Sequence, residues 1–426
     1  MYKQYVSVEQ ALQMIIGQAA LTEVEMIPLG ESLGRVLAKP IIATSSIPSF
    51  NKSPFDGYAV RFDDIKHATV ENPIVLQVIE EIPAGYAPQK QVCAGEAARI
   101  MTGAPLPAGA DTIIKFEDTH LQQNDDRHYQ KDGEQVQILV SPRKAGNYSK
   151  IGEDMNSGDV LLQEGRVIDS AVIAVLATFG IQQVPVHFKP TAIVFASGDE
   201  LVDVSEDPPY GKIRNSNSPS IAAQLQSWGS LAVDGGIIKD NRQQIAKTLL
   251  NALQEYQVVI TTGGVSVGDY DIIKDVLQDI GAEILFWRVS MRPGTPMVVA
   301  KYGDRMIFGL SGNPSAAYIS CELFVRAYIL KVQGFQTVWR SPVKAILTED
   351  IGKPANQMRF VRAVAEVATD GNVYVTPLAK QKSGILGNLL ESNALLHIYP
   401  AQEQINQGDV VDAMLLAPPL RSVEHD

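Results

Sequence analysis

From about residue 183 to residue 332, stretches with the character of buried strands alternate with helical stretches. "TAIVFASGDEL", "SLAVDGGIIKD", "QVVITTGG" and "RMIFGL" are predicted strands, and a helical sequence follows each of them. Strands that alternate with helices of this length are typical of βαβ units, whose strands pair in parallel. The sequence therefore predicts an α/β domain built on a doubly wound parallel sheet.

Three of these strands end in short loops rich in glycine and hydroxyl residues. In open α/β sheets, ligands bind beyond the carboxyl ends of the strands, and glycine lets backbone amides approach an anion. The third loop also places Asn313 where it can cap a helix, with Pro314 in the first turn. Each loop alone could be a plain strand-to-helix turn, but three along one edge favour an anion site. The loops are residues 197–200 (SGDE), 262–266 (TGGVS) and 311–315 (SGNPS).

Carboxylates follow the same strands, which is unexpected at a site for an anion. Carboxylates can hold Mg²⁺, which in turn bridges to phosphate oxygens, so the pattern predicts a metal-assisted anion site. The alternative is that some of these acids only cap helices, as Asp271 could do for the helix after it. The acidic residues are Asp199, Glu200, Asp240, Asp269 and Asp271.

The segment "SMRPGTPM" (290–297) places Arg292 between a predicted strand and a Pro-Gly turn. An arginine held in a turn suits a phosphate or another oxyanion. The alternative is an ordinary solvated turn residue.

The rest of the chain predicts separate β regions and one amphipathic helix. Ser7 with Gln10 is a helix-capping signature before a helical apolar pattern. Short strands broken by Pro and Gly fill residues 70–140, and an apolar helix at 171–181 follows, too short to span a membrane and predicted to lie in the core. Beyond Trp339 the helical period disappears, which indicates a compact β domain. A chain of 426 residues is also too long to fold around a single hydrophobic core.

Composition excludes some classes of partner. The formal charge of −12 argues against a general nucleic-acid or anionic-membrane surface. Cys93 and Cys321 lack metal-ligand spacing, and we interpret both as buried packing residues in a reducing compartment. No signal-peptide pattern is present at the N-terminus, so we expect a cytoplasmic protein.

These loops, in this order, resemble the molybdopterin molybdotransferase family, which performs the last step of molybdenum cofactor assembly and includes the C-terminal domain of gephyrin. The resemblance covers nearly the whole chain, and several blocks are long and idiosyncratic. The similar blocks are "FNKSPFDGYAVR" (50–61), "IMTGAPLPAGADTII" (100–114), "KIGEDMNSGDVLL" (150–162), "SGDEL" (197–201), "GGVSVGDYD" (263–271), "RPGTPM" (292–297), "GLSGNPSAA" (309–317), "FVR" (360–362) and "SGIL" (383–386).

The resemblance implies four domains and a homodimer. The implied domains are an elongated linking domain (1–48 and 142–178), a β insertion (49–141), the α/β domain (179–329) and a C-terminal β barrel (330–426). It implies a site between the α/β domain of one subunit and the second and fourth domains of its partner. The implied reaction takes adenylylated molybdopterin and molybdate, uses Mg²⁺, releases AMP and leaves molybdenum on the dithiolene.

The resemblance also assigns roles to particular positions. It implies a set of catalytic carboxylates that includes Asp56. Without the resemblance, Asp56 would be interpreted as a β-turn residue. It implies metal ligands among the acids of the α/β edge, and substrate contacts from three domains. The catalytic set is Asp56, Asp154, Glu200 and Asp271; the metal set is Asp199, Glu200, Asp240 and Asp271; the substrate-binding set is Thr102, Gly263, Gly264, Ser266, Arg292, Asn313, Arg362 and Ser383.

The chain departs from the family pattern at several positions. Arg292 stands where lysine is usual, and Thr295 where some members have lysine, so the contacts to molybdate are altered. Ser311 replaces a proline, and Pro54-Phe55 replaces Ala-Met before Asp56. The last two changes affect loop stiffness without removing a ligand.

Two other functions remain open on the sequence. One is the adenylyltransferase of the preceding step, which shares the α/β domain but usually lacks the flanking β domains. The other is a non-enzymatic dimeric scaffold of the gephyrin type, disfavoured because no long flexible linker is present. The adenylyltransferase and the enzymes that receive the cofactor are implied as partners, and molybdate is not distinguished from tungstate.

Overall fold

The computed structural model describes residues 3–120, 133–142, 146–265, 272–352, 356–400 and 404–421. These residues divide into two compact units. We call the unit within residues 1–39, 164–173 and 182–426 the first unit, and the unit within residues 40–163 and 174–181 the second unit.

Helices are spread along the chain, and a π-helical segment, Cys321–Val325, joins α7 to α8. The α-helices of the described residues are α1 (Val8–Ile16), α2 (Phe62–Ile65), α3 (Ser170–Thr178), α4 (Asn217–Ser227), α5 (Arg242–Glu255), α6 (Ile272–Asp279), α7 (Pro314–Ser320), α8 (Arg326–Val332) and α9 (Asn388–Glu391).

Strands dominate both ends of the chain. Up to residue 187 they are β1 (Val24–Pro28), β2 (Ile41–Ile42), β3 (Gly57–Val60), β4 (Ile74–Ile82), β5 (Glu96–Ile100), β6 (Thr112–Lys115), β7 (Thr119–His120), β8 (Gln135–Ile138), β9 (Val160–Leu162) and β10 (Gln183–His187). In the α/β region they are β11 (Thr191–Ser197), β12 (Leu201–Val202), β13 (Ile213–Arg214), β14 (Leu231–Ile238), β15 (Val258–Thr262), β16 (Glu283–Trp287), β17 (Met291–Arg292), β18 (Met297–Tyr302) and β19 (Arg305–Leu310). The C-terminal strands are β20 (Val343–Leu347), β21 (Met358–Val367), β22 (Val373–Pro377), β23 (Ala394–Ile398), β24 (Val410–Leu415) and β25 (Leu420–Arg421).

The predicted α/β sheet is present in the first unit. Its strand order is β14-β11-β15-β19-β18-β16, and β14, β11, β15 and β19 pair in parallel as predicted. β18 is antiparallel to both β19 and β16, so the sheet is mixed at one side. A tight turn joins β18 to β19, and only antiparallel neighbours can be connected so directly.

The strands that carry the three glycine loops are direct neighbours. β15 lies between β11 and β19 and pairs in parallel with both. Because parallel strands point the same way, the loops after residues 197, 262 and 310 leave the same edge of the sheet. The predicted clustering of the loops is confirmed.

Helix α1 packs into the core of the first unit. Ser7 and Gln10 form the predicted capping box, which satisfies amide groups at the helix start. Its buried side chains Val8, Ala11 and Ile15 belong to the same apolar cluster as Phe308 of β19. Burial of this face rather than helix propensity anchors so short a helix.

The C-terminal strands close into a barrel. The pairing order β21-β22-β20-β24-β23 returns to β21, because β21 pairs with β23 as well as with β22. Closure removes the exposed sheet edges. The predicted β barrel is confirmed, and β21 also pairs in parallel with β17, which follows β16 of the α/β sheet.

The second unit contains a β sheet with the order β6-β3-β5-β4-β8-β7. Four of its strands match the predicted strands of residues 70–140. β3 was not predicted as a strand, yet it is buried throughout and lies between β5 and β6. Its sequence, Gly-Tyr-Ala-Val, is only four residues long and directly follows a turn signal, so the local pattern does not indicate a strand.

Two predictions about burial are wrong. In α3 only Val172 and Leu176 are buried while Ala171 and Ala174 are exposed, because an evenly apolar helix has no face that sequence alone can assign to the core. Cys93 is exposed, because it lies in the turn before β5, whereas Cys321 is buried as predicted.

Nothing in the structure tests the four predicted domain ranges, which stay a prediction. β10 pairs with β1 rather than with the α/β sheet, which begins at β11. In the described part of the chain, no helix has the length and apolar character that crossing a membrane requires.

Gly57, at the start of β3, is required by close packing. A Cβ at this position would lie 2.0 Å from the carbonyl oxygen of Ile114 on the neighbouring strand. We expect Gly57→Ala to destabilise the protein by about 1–3 kcal/mol, the usual result of overpacking. Chemical denaturation followed by tryptophan fluorescence and circular dichroism measures the change.

The control is Gly30→Ala. A Cβ at Gly30 meets no atom within 4 Å, so this variant should unfold like the wild type. Equal stability of the two variants would contradict the packing argument.

Candidate functional site

The three glycine loops touch one another at the edge of the α/β sheet. A Cβ on Gly263 would lie 2.0 Å from the carbonyl oxygen of Ser197, and Gly263 has a φ of 88°, which favours glycine. A Cβ on Gly312 would lie 3.2 Å from the Cα of Gly263. Asn217 at the start of α4 donates from its side-chain amide to the Gly312 carbonyl over 2.9 Å. The loops therefore form one continuous backbone surface.

Gly264 completes this turn with a φ of 64°, and a Cβ there would lie 2.9 Å from side-chain atoms of Ile272 and Ile273. The hydroxyl oxygen of Thr262 is buried beside the turn and has no hydrogen-bond partner in the described part of the chain. Ser266, Asp269 and Asp271 lie outside the described residues.

The described acids of this edge are held in different ways. Asp240 accepts a hydrogen bond from the Ser197 hydroxyl. The Glu200 carboxylate folds back over Gly198, since a Cβ on that glycine would lie 2.4 Å from a carboxylate oxygen. Asp199 is exposed, and its backbone carbonyl accepts from the Lys212 ammonium over 2.8 Å.

These acids do not by themselves form a metal centre. Among the described residues, no three His, Cys, Asp or Glu side chains are grouped closely enough to hold a metal ion. The predicted magnesium set includes Asp271, which lies outside those residues, so the prediction is not tested.

A basic cavity lies between the third glycine loop and the barrel, within the first unit. Its volume is about 1540 Å³, and none of its described lining residues is acidic. We call it the basic cavity and define it by Arg292, Ser311, Asn313, Arg359, Lys382 and Ser383. A net positive lining suits an anionic ligand.

The turn at residues 292–295 forms one wall of the basic cavity. Arg292 is exposed there. Gly294 has a φ of 98°, and a Cβ on it would lie 2.4 Å from the Ser320 hydroxyl oxygen, so the turn is packed tightly against α7. Thr295, where some members of the family have lysine, donates its hydroxyl to the Met291 carbonyl over 2.5 Å.

Asn313 and Ser383 meet at the base of α7. Asn313 occupies the N-cap position with Pro314 after it, as predicted, but its side chain makes no capping hydrogen bond. The side chain lines the basic cavity instead. The Ser383 carbonyl accepts from the backbone N–H of Ser315 over 3.0 Å, which ties the barrel loop to the helix.

Arg362, predicted as a substrate contact, is buried in β21 next to residues that line the basic cavity. Its side chain is buried, with 1% exposure, and is not part of the cavity lining. Burial lowers the pKa of the Arg362 guanidinium, which nevertheless stays charged. Its two terminal nitrogens, Nη1 and Nη2, donate to protein acceptors.

Asp56 and Thr102 form a pair in the second unit. One carboxylate oxygen of Asp56 accepts both the backbone N–H and the hydroxyl of Thr102, each over 2.8 Å. These two bonds, with a smaller effect of the Arg99 charge, lower the pKa of Asp56 below its ordinary 3.8. The turn therefore presents an ionised, exposed carboxylate with one oxygen fixed.

Asp154 belongs to the same unit. Its backbone N–H donates to the Ile47 carbonyl over 3.0 Å, and Lys52 and Ser149 exchange backbone hydrogen bonds of 3.0 and 2.9 Å. The segment with Asp154 thus pairs with the segment that leads into the Asp56 turn. Its carboxylate is exposed.

Two cavity residues were not predicted. Arg359 and Lys382 immediately precede the "FVR" and "SGIL" blocks, and each lines the basic cavity. Basic residues directly beside a recognised block were the available signal. Their convergence depends on how β21 pairs in the barrel, which no local pattern encodes.

The chain is similar to known proteins over nearly its full length. The profile "MoeA N-terminal region (domain I and II)" matches residues 6–180. "Probable molybdopterin binding domain" matches residues 193–331, and "MoeA C-terminal region (domain IV)" matches residues 344–416.

Relatives and solved structures agree with these matches. A "Molybdopterin molybdenumtransferase" of Staphylococcus epidermidis is 39% identical over 410 residues, covering 96% of this chain and 95% of that protein. One of Bacillus subtilis is 37% identical over 412 residues, covering 96% and 94%. The crystal structure of a molybdopterin biosynthesis moeA protein from Pyrococcus horikoshii OT3 has a TM-score of 0.81 and 31% identity, and covers 97% of this chain and 100% of that one.

The Thr102–Asp56 pair makes a prediction about titration. Thr102→Val removes one of the two hydrogen bonds, so the pKa of Asp56 should rise toward its ordinary value, whereas Thr102→Ser should retain the wild-type pKa. Carboxyl ¹³C NMR titration measures both.

The sign for stability follows from the same shift. Because the folded-state pKa is lowered, the stabilisation is present above the ordinary pKa and is lost as pH falls through the lowered value. Thr102→Val should therefore lose less stability on acidification than the wild type. Identical titration of all three proteins would contradict the pairing.

Proposed function

Because this chain belongs to the molybdopterin molybdenumtransferase family, we propose that it completes the molybdenum cofactor from adenylylated molybdopterin and molybdate, with release of AMP. The observation that carries the proposal is the set of matched regions, which follow one another from residue 6 to residue 416. The chain is a transferase that inserts molybdenum into molybdopterin. The adenylylated form of the substrate and the release of AMP are the proposed part.

The continuous backbone surface formed by the three glycine loops is the proposed binding site of the pterin phosphate. Gly263 and Gly264 expose backbone at the edge of the α/β sheet, next to the buried Thr262 hydroxyl. Amides at such a turn can donate to phosphate oxygens without a net charge. We include Ser266, which continues this loop, among the proposed contacts.

Mg²⁺ is the proposed resident metal. The donor type fits, since hard carboxylate oxygens are available in Asp199, Glu200 and Asp240 at this edge, and Asp271 would join them. A bound Mg²⁺ would supply charge neutralisation at the phosphate groups.

The proposed cleavage transfers one oxygen of molybdate to the adenylyl phosphorus. An oxygen of molybdate bonds to the adenylyl phosphorus as the bond from that phosphorus to the bridging oxygen breaks. The bridging oxygen stays on the molybdopterin phosphate. The bond from molybdenum to the transferred oxygen then breaks as the deprotonated dithiolene sulfurs bond to molybdenum, and AMP leaves with that oxygen. Phosphoryl chemistry of this kind depends on positioning and charge more than on a strong nucleophile.

Asp56 and Asp154 are the proposed catalytic carboxylates of the second unit. Asp56 is ionised and has one oxygen fixed by Thr102, so its other oxygen can orient a substrate or accept a proton. Glu200 and Asp271 are the proposed catalytic carboxylates of the first unit.

Molybdate is proposed to bind in the basic cavity. Arg292, Arg359 and Lys382 supply positive charge, and Asn313 and Ser383 supply neutral polar groups. Guanidinium groups match tetrahedral oxyanions through paired N–H donors. Molybdate and tungstate share this chemistry, so the proposal covers both oxyanions.

The adenylyltransferase alternative predicts pyrophosphate release from ATP, and it lacks support from the flanking matched regions at residues 6–180 and 344–416. A gephyrin-type scaffold predicts peptide capture that survives loss of cofactor synthesis.

We further propose a cytoplasmic homodimer that exchanges ligands with the adenylyltransferase and with cofactor-receiving enzymes. Light scattering after size-exclusion chromatography tests the dimer.

Loss of the key carboxylates should abolish turnover. Asp56→Asn and Asp271→Asn each keep the shape of the side chain but remove its charge, and we expect AMP release to fall by at least about 10²-fold. AMP is measured chromatographically after incubation with adenylylated molybdopterin, molybdate and Mg²⁺.

Asp63→Asn, an equivalent change at an exposed position of α2, is the matched control and should release AMP at the wild-type rate. Full AMP release by both carboxylate variants would show that the site is assigned wrongly.

The charge of Arg292 should matter for molybdate. We expect Arg292→Gln to weaken molybdate binding about tenfold, as loss of one charged hydrogen bond does, and Arg292→Lys to weaken it less because the charge stays. Equilibrium dialysis with ⁹⁹Mo-molybdate gives both constants.

Lys247→Gln, on the exposed face of α5, controls for a general loss of positive charge. Equal weakening by this variant would mean that net charge rather than the basic cavity sets the affinity.

A further inference from the structure

Tyr5 lines the basic cavity, although it lies in the N-terminal segment, far in sequence from the residues that supply the cations. The side chain of Tyr5 is 52% exposed, whereas the next residue, Val6, is 2% exposed and packs in the apolar core of the first unit. Val6 therefore anchors the segment, and the aromatic ring of Tyr5 remains accessible to a ligand in the cavity.

Backbone hydrogen bonds hold the segment on both sides of Tyr5. The Trp287 N–H donates to the Lys3 carbonyl over 3.0 Å, and the Ser290 N–H donates to the Val6 carbonyl over 2.8 Å. Parallel bridges join the same segment to the end of β16 and to the residues that follow it. Because its neighbours are fixed, Tyr5 is positioned before a ligand binds, which reduces the entropy cost of a contact.

The basic cavity is larger than an oxyanion requires. Its volume of about 1540 Å³ exceeds the range of about 300–1,000 Å³ that is typical of small-molecule pockets, whereas molybdate is a compact tetrahedral ion. The reaction brings a second group to the molybdate, because the dithiolene that receives molybdenum is attached to a pterin. The remaining space therefore suits the pterin of the same substrate.

The pterin of molybdopterin contains a flat aminopyrimidinone ring with hydrogen-bond donors and acceptors along its edge. Proteins hold flat heterocycles by stacking them on aromatic side chains. Tyr5 offers an exposed ring in this cavity, whereas Phe360 of the same lining is 2% exposed. Asn356 and Gln357 also line the cavity, and a carboxamide offers both a donor and an acceptor to the pterin edge.

The order of groups in molybdopterin agrees with this placement. The phosphate is proposed to bind at the glycine loops, and the dithiolene must reach the molybdate, so the pterin is left to occupy the rest of the cavity. Ser311 and Asn313 of the third glycine loop border the same cavity as Tyr5. One ligand can therefore extend from the glycine loops toward Tyr5 within a continuous space.

We propose that Tyr5 is a substrate-binding residue: its ring stacks on the pterin of molybdopterin and so holds the dithiolene toward the oxyanion in the basic cavity. The inference rests on the proposed binding of molybdate there and extends that site to the pterin. A tyrosine ring gains contact area when a flat ring covers it, at little cost in side-chain entropy because tyrosine has only two χ angles.

The test compares Tyr5→Ala, Tyr5→Phe and Tyr302→Ala in the full-length protein. Tyr302→Ala is the matched control, because Tyr302 is 38% exposed at the end of β18 and lies outside the described lining of the basic cavity. Anaerobic equilibrium dialysis measures molybdopterin affinity, with the pterin quantified after oxidation to a fluorescent form. Dialysis with ⁹⁹Mo-molybdate alone measures oxyanion affinity, and circular dichroism confirms that each variant is folded.

Loss of the ring in Tyr5→Ala should weaken molybdopterin binding by about tenfold, which is the usual effect of removing one stacking partner. Tyr5→Phe keeps the ring and should bind molybdopterin like the wild type, as should Tyr302→Ala. Molybdate affinity should be the same in all four proteins, because the cations of the basic cavity are unchanged.

Wild-type molybdopterin affinity of Tyr5→Ala would overturn the proposal. Equal weakening by Tyr5→Phe would also overturn it, because the hydroxyl rather than the ring would then make the contact. Failure of the proposed function gives a different result: the wild type would then release no AMP from adenylylated molybdopterin and molybdate. The dialysis result for Tyr5 does not depend on that release.

Discussion

The contact between the turn after β15 and the end of β11 constrains the whole α/β edge. Gly263 approaches the Ser197 carbonyl so closely that no side chain fits between them, and Gly312 of the loop after β19 packs on the same glycine. Three chain segments far apart in sequence therefore meet through backbone alone. The surface that they form carries amides and hydroxyls, and the carboxylate of Asp240 is hydrogen-bonded to the Ser197 hydroxyl beside it.

A second constraint connects this edge to the barrel. β17 pairs with β21, the Ser315 N–H bonds to the Ser383 carbonyl, and Arg362 ties the loop between them. The apolar core is continuous as well, because Phe360 of the barrel packs in the same cluster as Phe308 of the α/β sheet. The basic cavity is thus built by two sheets that share one core, which explains why its cations come from separate sequence blocks.

Sequence alone predicted features that depend on local pattern. The parallel strands, the capping box at Ser7 and the glycine loops after residues 197, 262 and 310 all follow from periodicity and turn chemistry. Features that depend on contacts between distant parts of the chain were not predicted. They are the antiparallel β18, the central position of β3, and the cavity residues Arg359 and Lys382. The burial of Arg362 was not predicted either, since a motif shows that an arginine is present without showing what its guanidinium donates to.

Strand β21 is hydrogen-bonded along both of its edges, to β22 and to β23. A strand held on both sides cannot slide by one residue without turning its inward side chains outward. The position of Arg359 along the barrel wall is therefore fixed by the register of β21 with its two neighbours. A change in the width of the basic cavity would therefore have to come from exchanged side chains or from a remodelled segment 380–385, because the strand itself cannot shift.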